Sequence, residues 1–292
     1  MKTKLIMFEG IPGSGKSTIA HKSVLILKKK KVSSRLYREG DLHPANLDGY
    51  AVIPNSELDI LISKFPQYKE KICNHMIPAG NHILIQRQKD YRVESAIFQY
   101  LNPYAVWGNY IDYELFCKLH QERWTNFAGT LLADSLIKAD ETVIFECAFL
   151  QDHITELMMF YEKSKSDIIE YFKKIEESIL ALEPFLFYLQ QNNVSETIER
   201  ITKQRINDSG GRPWGERVAE MIANCSYGKT HSLNGYDGMV EFFKRRKEMD
   251  LAVLNALEIR HTFIDNDDYD WKAVEEKASK ILISLVDDIY AN

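Results

Sequence analysis

The chain has no apolar run approaching the ~18 residues that a membrane-spanning helix needs, so no integral membrane segment is expected. It is poor in cysteine. Cys73, Cys117, Cys147 and Cys225 are the four, and they make no C-x-x-C pair, which removes the redox and paired-thiolate metal motifs. With no secretory leader ahead of the first apolar strand, a soluble protein of a reducing cytoplasm is expected. There is no surplus of positive charge: 37 Lys and Arg against 42 Asp and Glu give a net charge of −5. The basic runs Lys28–Lys31 and Lys244–Lys247 read as solvated helix ends, so no stripe for a nucleic-acid backbone is expected. Internal repeats and low-complexity linkers are also missing.

What is present begins at Gly10-Ile11-Pro12-Gly13-Ser14-Gly15-Lys16-Ser17-Thr18. These residues satisfy G-x-x-x-x-G-K-[ST] at every fixed position, the pattern of a loop that cradles phosphates. Gly10, Gly13 and Gly15 let successive N–H groups point at one anion with no Cβ in the way. Lys16 is expected on the β/γ-phosphates of a nucleoside triphosphate and the Ser17 hydroxyl on Mg²⁺, with Ser14 and Thr18 part of the same loop. Leu5-Ile6-Met7-Phe8 before the loop reads as a buried parallel strand. Ile19, Ala20, Val24 and Leu27 after it share one face of a helix.

The 292 residues, 45% apolar, suffice for one large α/β domain or a core with an insertion. Strands are predicted at Lys4 to Phe8, Ser33 to Tyr37, Thr142 to Phe145, Phe185 to Leu189 and His261 to Ile264. Val194, Ile198 and Ile201 form a helix stripe behind an Asn193/Glu196 capping box. Trp271, Val274, Ala278, Ile281 and Leu285 form another. Strands alternating with helices predict a mainly parallel sheet with helices on both faces and a mostly helical insertion between strands two and three. The expected layout is a single domain over 1–292. Its nucleotide core is 1–42, 140–150 and 184–285, its insertion is about 43–140, and its lid is about 200–217.

Ligands in such sheets sit at the carboxyl ends of the strands. After strand two come Glu39 and Asp41, either of which suits a base that takes or orients the proton of an attacking hydroxyl. After strand three comes Glu146, the expected Mg²⁺ partner. After strand four comes a helix carrying Arg200 and Arg205, then Ile206-Asn207-Asp208-Ser209-Gly210-Gly211-Arg212-Pro213-Trp214; the segment reads as a mobile lid whose guanidiniums close over phosphates. The insertion is rich in aromatics, which either pack helices or line an acceptor pocket. His43, His120, Arg123 and Trp124 are its candidates for holding an acceptor.

With these residues placed, the chain resembles the P-loop kinases of small molecules, in particular the thymidylate kinase and deoxynucleoside kinase branch. Phe8-Glu9-Gly10-Ile11-Pro12-Gly13-Ser14-Gly15-Lys16-Ser17-Thr18 has that branch's E-G-x-x-G-x-G-K-S-T form. Arg38-Glu39-Gly40-Asp41 departs from the R-E-P-G-G of thymidylate kinases. Glu146-Cys147-Ala148 lacks the arginine of D-R-[YH] or E-R-S. Asp41-Leu42-His43-Pro44 is similar to the segment after strand two in small P-loop kinases of sugars, antibiotics and cell-wall precursors. The resemblance implies a P-loop NTPase-type fold with ATP and Mg²⁺. It also implies γ-phosphate transfer to a small nucleoside, nucleotide, sugar or antibiotic-like acceptor, with no nucleic-acid or membrane partner and a homodimer left open. The alternative is a non-kinase NTPase or a regulatory switch. Asp208-Ser209-Gly210-Gly211 matches the D-x-x-G of a switch by letter, but no N-K-x-D base reader occurs.

Overall fold

The structure, a computed structural model, describes residues 3–41, 43–87, 91–92, 94–108, 110–137, 141–206 and 212–287, the side chains at 135–137 and 287 excepted. In chain order the elements are β1 (Leu5–Glu9), α1 (Lys16–Lys29), β2 (Ser33–Tyr37), β3 (Tyr50–Pro54), α2 (Leu58–Lys64), α3 (Lys69–His75), β4 (Ile77–Ala79), β5 (His82–Gln86), α4 (Ala96–Leu101) and α5 (Tyr113–Ile137). Then follow β6 (Glu141–Glu146), α6 (Gln151–Met159), α7 (Lys165–Ile179), β7 (Phe185–Gln190), α8 (Val194–Gln204), α9 (Trp214–Asn224), α10 (Ser226–Thr230), α11 (Gly235–Ala256), β8 (Arg260–Asp265) and α12 (Trp271–Asp287). The contacts divide the chain into two compact units, Met1–Glu39 with Thr125–Asn292, and Gly40–Trp124.

The first unit is an α/β layer structure around a five-stranded sheet in the order β2-β6-β1-β7-β8, every neighbouring pair parallel. All five strands predicted from the sequence are present, within a residue or two at each end. β1 is buried along its whole length, as a central parallel strand flanked on both faces must be. Ile6, Phe8, Ile144, Phe187 and Leu189 pack against Ile19 and Leu27 of α1 and Val274, Ala278 and Leu282 of α12. Phe8 and Phe187 stack with centroids 4.9 Å apart. Truncating Phe187 to alanine there would cost about 3–5 kcal/mol. The α12 stripe is turned slightly from the predicted one: Val274, Ala278, Leu282 and Val286 are buried, while Trp271, Ile281 and Leu285 flank them. Asn193 caps α8 as its sequence suggests, accepting from the Glu196 N–H.

The second unit lies in the expected insertion, and helices are most of its regular structure, but it also holds a sheet that the sequence reading did not include. Its helices pack with a three-stranded antiparallel sheet, β3-β5-β4. Ala51, Ile53, Ile83 and Ile85 of that sheet share a core with Leu61, Phe65, Ile97 and Leu101. The signal was there in the short apolar runs Tyr50–Ile53 and Ile83–Ile85, in part β-branched, and in Gly80-Asn81. These two residues join β4 to β5 as a two-residue turn, with Ala79 opposite His82 and Gly80 at φ +63°. The spacing of the aromatic residues outweighed these short runs.

The basic run Lys28–Lys31 is an exposed helix end, as expected. Lys244–Lys247 is not: it lies in the middle of α11, and Arg246 within it is buried. Among the described residues no helix is long and apolar enough to cross a membrane.

Candidate functional site

The site is assembled at the carboxyl ends of β1, β2 and β6. Register brings it together: Phe8 pairs with Glu146, and Tyr37 with Phe145, so the chain leaving each strand arrives at the same place. β1 runs directly into the glycine-rich loop. At Gly10, φ +145°, a Cβ would lie 2.6 Å from the Leu189 carbonyl oxygen. At Gly15, φ +101°, it would lie 2.5 Å from ring carbons of Trp271. Any side chain at either point would displace the loop. Ser14 is buried, and its carbonyl accepts from Asn266 Nδ2 at 2.8 Å. Gly13, Lys16, Ser17 and Thr18 line one cavity with Gly15.

Lys16 opens α1. Its Nζ donates to the carbonyls of Gly10 and Ile11, each at 3.0 Å, which keeps the ammonium inside the loop at the positive end of the helix. The Ser17 hydroxyl donates to Glu146 Oε1 at 2.7 Å. The Glu39 N–H donates to Glu146 Oε2 at 3.1 Å, and the Cys147 thiol to Oε1 at 3.1 Å. Burial tends to raise the Glu146 carboxyl. The Lys16 charge and the hydrogen bonds from Cys147, Ser17 and the Glu39 amide outweigh it and hold the group below the usual carboxylate range. Glu146 is therefore ionised at neutral pH.

Glu39, Glu146 and Cys147 each offer a ligand atom within 4.8 Å of the others. Burial pushes the Cys147 thiol well up, so it stays protonated. The hard oxygens of Ser17, Glu146 and Glu39 are the donors that suit Mg²⁺.

The cavity over this group measures about 390 Å³, a size that holds a small ligand. Glu39, Glu146, Arg200 and Arg205 line it, as do the rings of Trp214, Tyr269 and Trp271. The Arg200 guanidinium lies 3.2 Å from the centroid of Tyr269, and that of Arg205 lies 5.8 Å from Trp214. The arginines stand on the helix after the fourth strand of the sheet, as expected. Arg200 lies within α8, Arg205 is its C-terminal cap, and the Trp214 N–H at the start of α9 donates back to the Arg205 carbonyl at 3.0 Å. Helix propensity and the Asn193 cap extend α8 through the first part of the lid segment. Residues 207–211, with the D-x-x-G letters, lie outside the described residues.

Beneath the loop is a buried polar set that the sequence reading missed. Glu9 is fully buried; its Oε1 accepts from the N–H groups of Phe149 and Leu150, and its Oε2 from that of Gln151, where α6 begins. Arg246 of α11 donates to the Gly10 carbonyl at 2.9 Å and to Asp250 Oδ2 at 3.1 Å. Tyr188 donates to the same Asp250 oxygen at 2.8 Å. The available signal was an Arg and an Asp at i, i+4 spacing on a helix whose Met239, Phe242, Phe243 and Val253 are apolar.

The acceptor candidates fall in the second unit. Asp41 is exposed, and the neighbouring residue 42 lies outside the described residues. His43 is buried. Its Nδ1 accepts from the N–H groups of Ala45 and Asn46, and burial, then the Arg123 charge, pushes its pKa down to about 3. Arg123 Nη2 donates to the His43 carbonyl at 3.3 Å, and its guanidinium lies 5.8 Å from the Tyr50 ring. His120 and Trp124 are buried, 1% and 0% exposed. His120 packs on Phe116, one helical turn away, and burial lowers its pKa to about 4. The helical spacing that made these residues core was the stronger signal.

Compared with known proteins, the chain matches no family model and no curated protein.

Proposed function

We propose that this protein is an ATP- and Mg²⁺-dependent kinase of P-loop type that transfers the γ-phosphate to a small polar acceptor. The observation that carries the reading is the convergence of Lys16, Ser17 and Glu146 on a glycine-built loop at the mouth of a cavity that Glu39, Arg200 and Arg205 also line. Each residue then has a task that its surroundings support. Lys16 and the loop N–H groups hold the β/γ-phosphates. Ser17 and Glu146 hold Mg²⁺, which, when bound, neutralises charge on the phosphate oxygens. Glu39 or Asp41 takes or orients the acceptor's proton. Arg200 and Arg205 offset the charge that spreads over the transferring group. The rings of Tyr269 and Trp271 give the nucleotide's base a flat apolar neighbour.

The test is transfer of label from γ-labelled ATP to pools of small metabolites, with Lys16→Ala as control. Label on a metabolite, lost in the folded control, supports the reading. Label on no small molecule, or transfer that survives in Lys16→Ala, refutes it.

A further inference from the structure

Arg246 occupies a place where a charged side chain needs a reason. It is 1% exposed, and its partner Asp250 is 0% exposed. Among the described residues, Nε and Nη1 of Arg246 and Oδ1 of Asp250 have no hydrogen-bond partner. A buried ion pair left this incompletely satisfied is a weak device for stability alone. Outside the pair and Tyr188, Arg246 also donates to the phosphate loop, at the Gly10 carbonyl.

That carbonyl has two donors, Lys16 Nζ at 3.0 Å and Arg246 Nη2 at 2.9 Å. If Lys16 turns to a nucleotide phosphate, Gly10 loses one of them. Gly10 is buried, and a buried carbonyl left without a donor is costly. Arg246 stays, and two of its nitrogens, Nε and Nη1, are in reserve.

We propose that Arg246 is a positioning residue for the phosphate loop: it keeps the Gly10 carbonyl satisfied so that Lys16 is free to leave it for the nucleotide. The inference rests on the nucleotide reading above. α11 also supports the far side of the loop. Lys247 Nζ donates to the Gln191 carbonyl at 2.7 Å, Gln191 Nε2 to the Asn266 carbonyl at 2.5 Å, and Asn266 Nδ2 to the Ser14 carbonyl at 2.8 Å. The basic run of one helix thus reaches the loop at Gly10 directly and at Ser14 through two intermediates.

The test is a double-mutant cycle on the full chain, read by the affinity of a non-hydrolysable ATP analogue with Mg²⁺. Arg246→Met paired with Asp250→Leu removes both buried charges together and leaves neither stranded. Alone, this pair should weaken the analogue by about tenfold; in a Lys16→Met background it should weaken it by less than about twofold, because there is no lysine left to release. An equal loss in both backgrounds would mark a merely structural role and overturn the proposal, as would no loss in either. If the paired variant does not fold, Arg246→Lys replaces it, with a smaller loss expected and the same dependence on Lys16 deciding. Absence of analogue binding by the unmodified protein would overturn the nucleotide reading and this proposal together. Wild-type binding without coupling overturns this proposal alone.

Discussion

Ser17 Oγ lies 2.7 Å from Glu146 Oε1 and ties the first turn of α1 to the end of β6. The two groups are held apart in sequence by more than a hundred residues and meet only because β1 and β6 are neighbours in register. If they share a magnesium ion, the charge of Glu146 matters more than its shape. Glu146→Gln should raise the Mg²⁺ concentration needed for half-maximal transfer by about 10–100-fold with little change in melting temperature. A magnesium titration at saturating ATP checks this, and an unmoved midpoint would take Glu146 out of the metal site.

Lys16 is largely buried, but among the described residues its ammonium bonds only to loop carbonyls. Lys16→Ala should therefore leave the sheet and its core intact. Transfer should fall by about a hundredfold or more, the scale of losing a preorganised charge at a developing anion. Circular dichroism and the transfer assay on one preparation decide it; near wild-type turnover in a folded variant sinks the assignment.

Glu39 lines the cavity and lies close to Glu146, while Asp41 belongs to the other unit. Glu39→Gln and Asp41→Asn keep shape and remove charge. The variant that removes the base should lose about 10²–10⁴-fold in kcat. The geometry favours Glu39 for the larger loss. If both retain wild-type kcat, neither carboxylate is the base.

Arg200 lies within α8, Arg205 caps its C-terminus, and Trp214 opens α9, all on the cavity wall. A ligand bridging them should slow amide exchange between residues 200 and 217. Hydrogen exchange with and without a magnesium-bound ATP analogue reads this directly. Equal protection in both states would mean that the arginines do not close on phosphate.

The parallel sheet was legible because β1, β6 and β7 hold short apolar runs separated by amphipathic helices, a pattern that local sequence carries by itself, whereas β2 and β8 are more polar. The loop was legible because its glycines, Lys16 and Ser17 match a pattern of fixed residue types at fixed spacing. Glu39 and Glu146 could be placed by rule, as residues that follow strands. Arg246 could not. Its meaning depends on α11 crossing under the loop, and a Lys-Arg-Arg-Lys run has the same letters whether it faces water or Gly10. The β3-β5-β4 sheet was hidden for a related reason: its strands are only three to five residues long, and the helical spacing of nearby aromatics drowned a weaker period.

Glu9 makes the stability of the fold depend on pH in a direction opposite to most carboxylates. Burial pushes its pKa up from 4.5 to about 7, although the N–H groups of Phe149, Leu150 and Gln151 and the charge of Lys16 all pull it down. Tyr188, Arg246 and Cys147 also feel its charge. The unfolded chain releases this proton near 4.5, while the folded chain keeps it to about 7. Between those values the native state binds more protons than the unfolded state, so this contribution is fully present below 4.5 and is lost as pH rises through about 7. Glu146, held below its usual range, acts in the opposite sense at acid pH. A comparison isolates Glu9. Glu9→Gln has no proton to lose, although its amide meets the Gln151 N–H donor and starts out less stable. Urea unfolding from about pH 5 to about pH 8 should show the wild type losing about 3 kcal/mol relative to the variant, nearly all of it before pH exceeds about 7.5. A stability difference that stays constant across that range would mean that the three N–H donors outweigh burial and that Glu9 is ionised in the native protein.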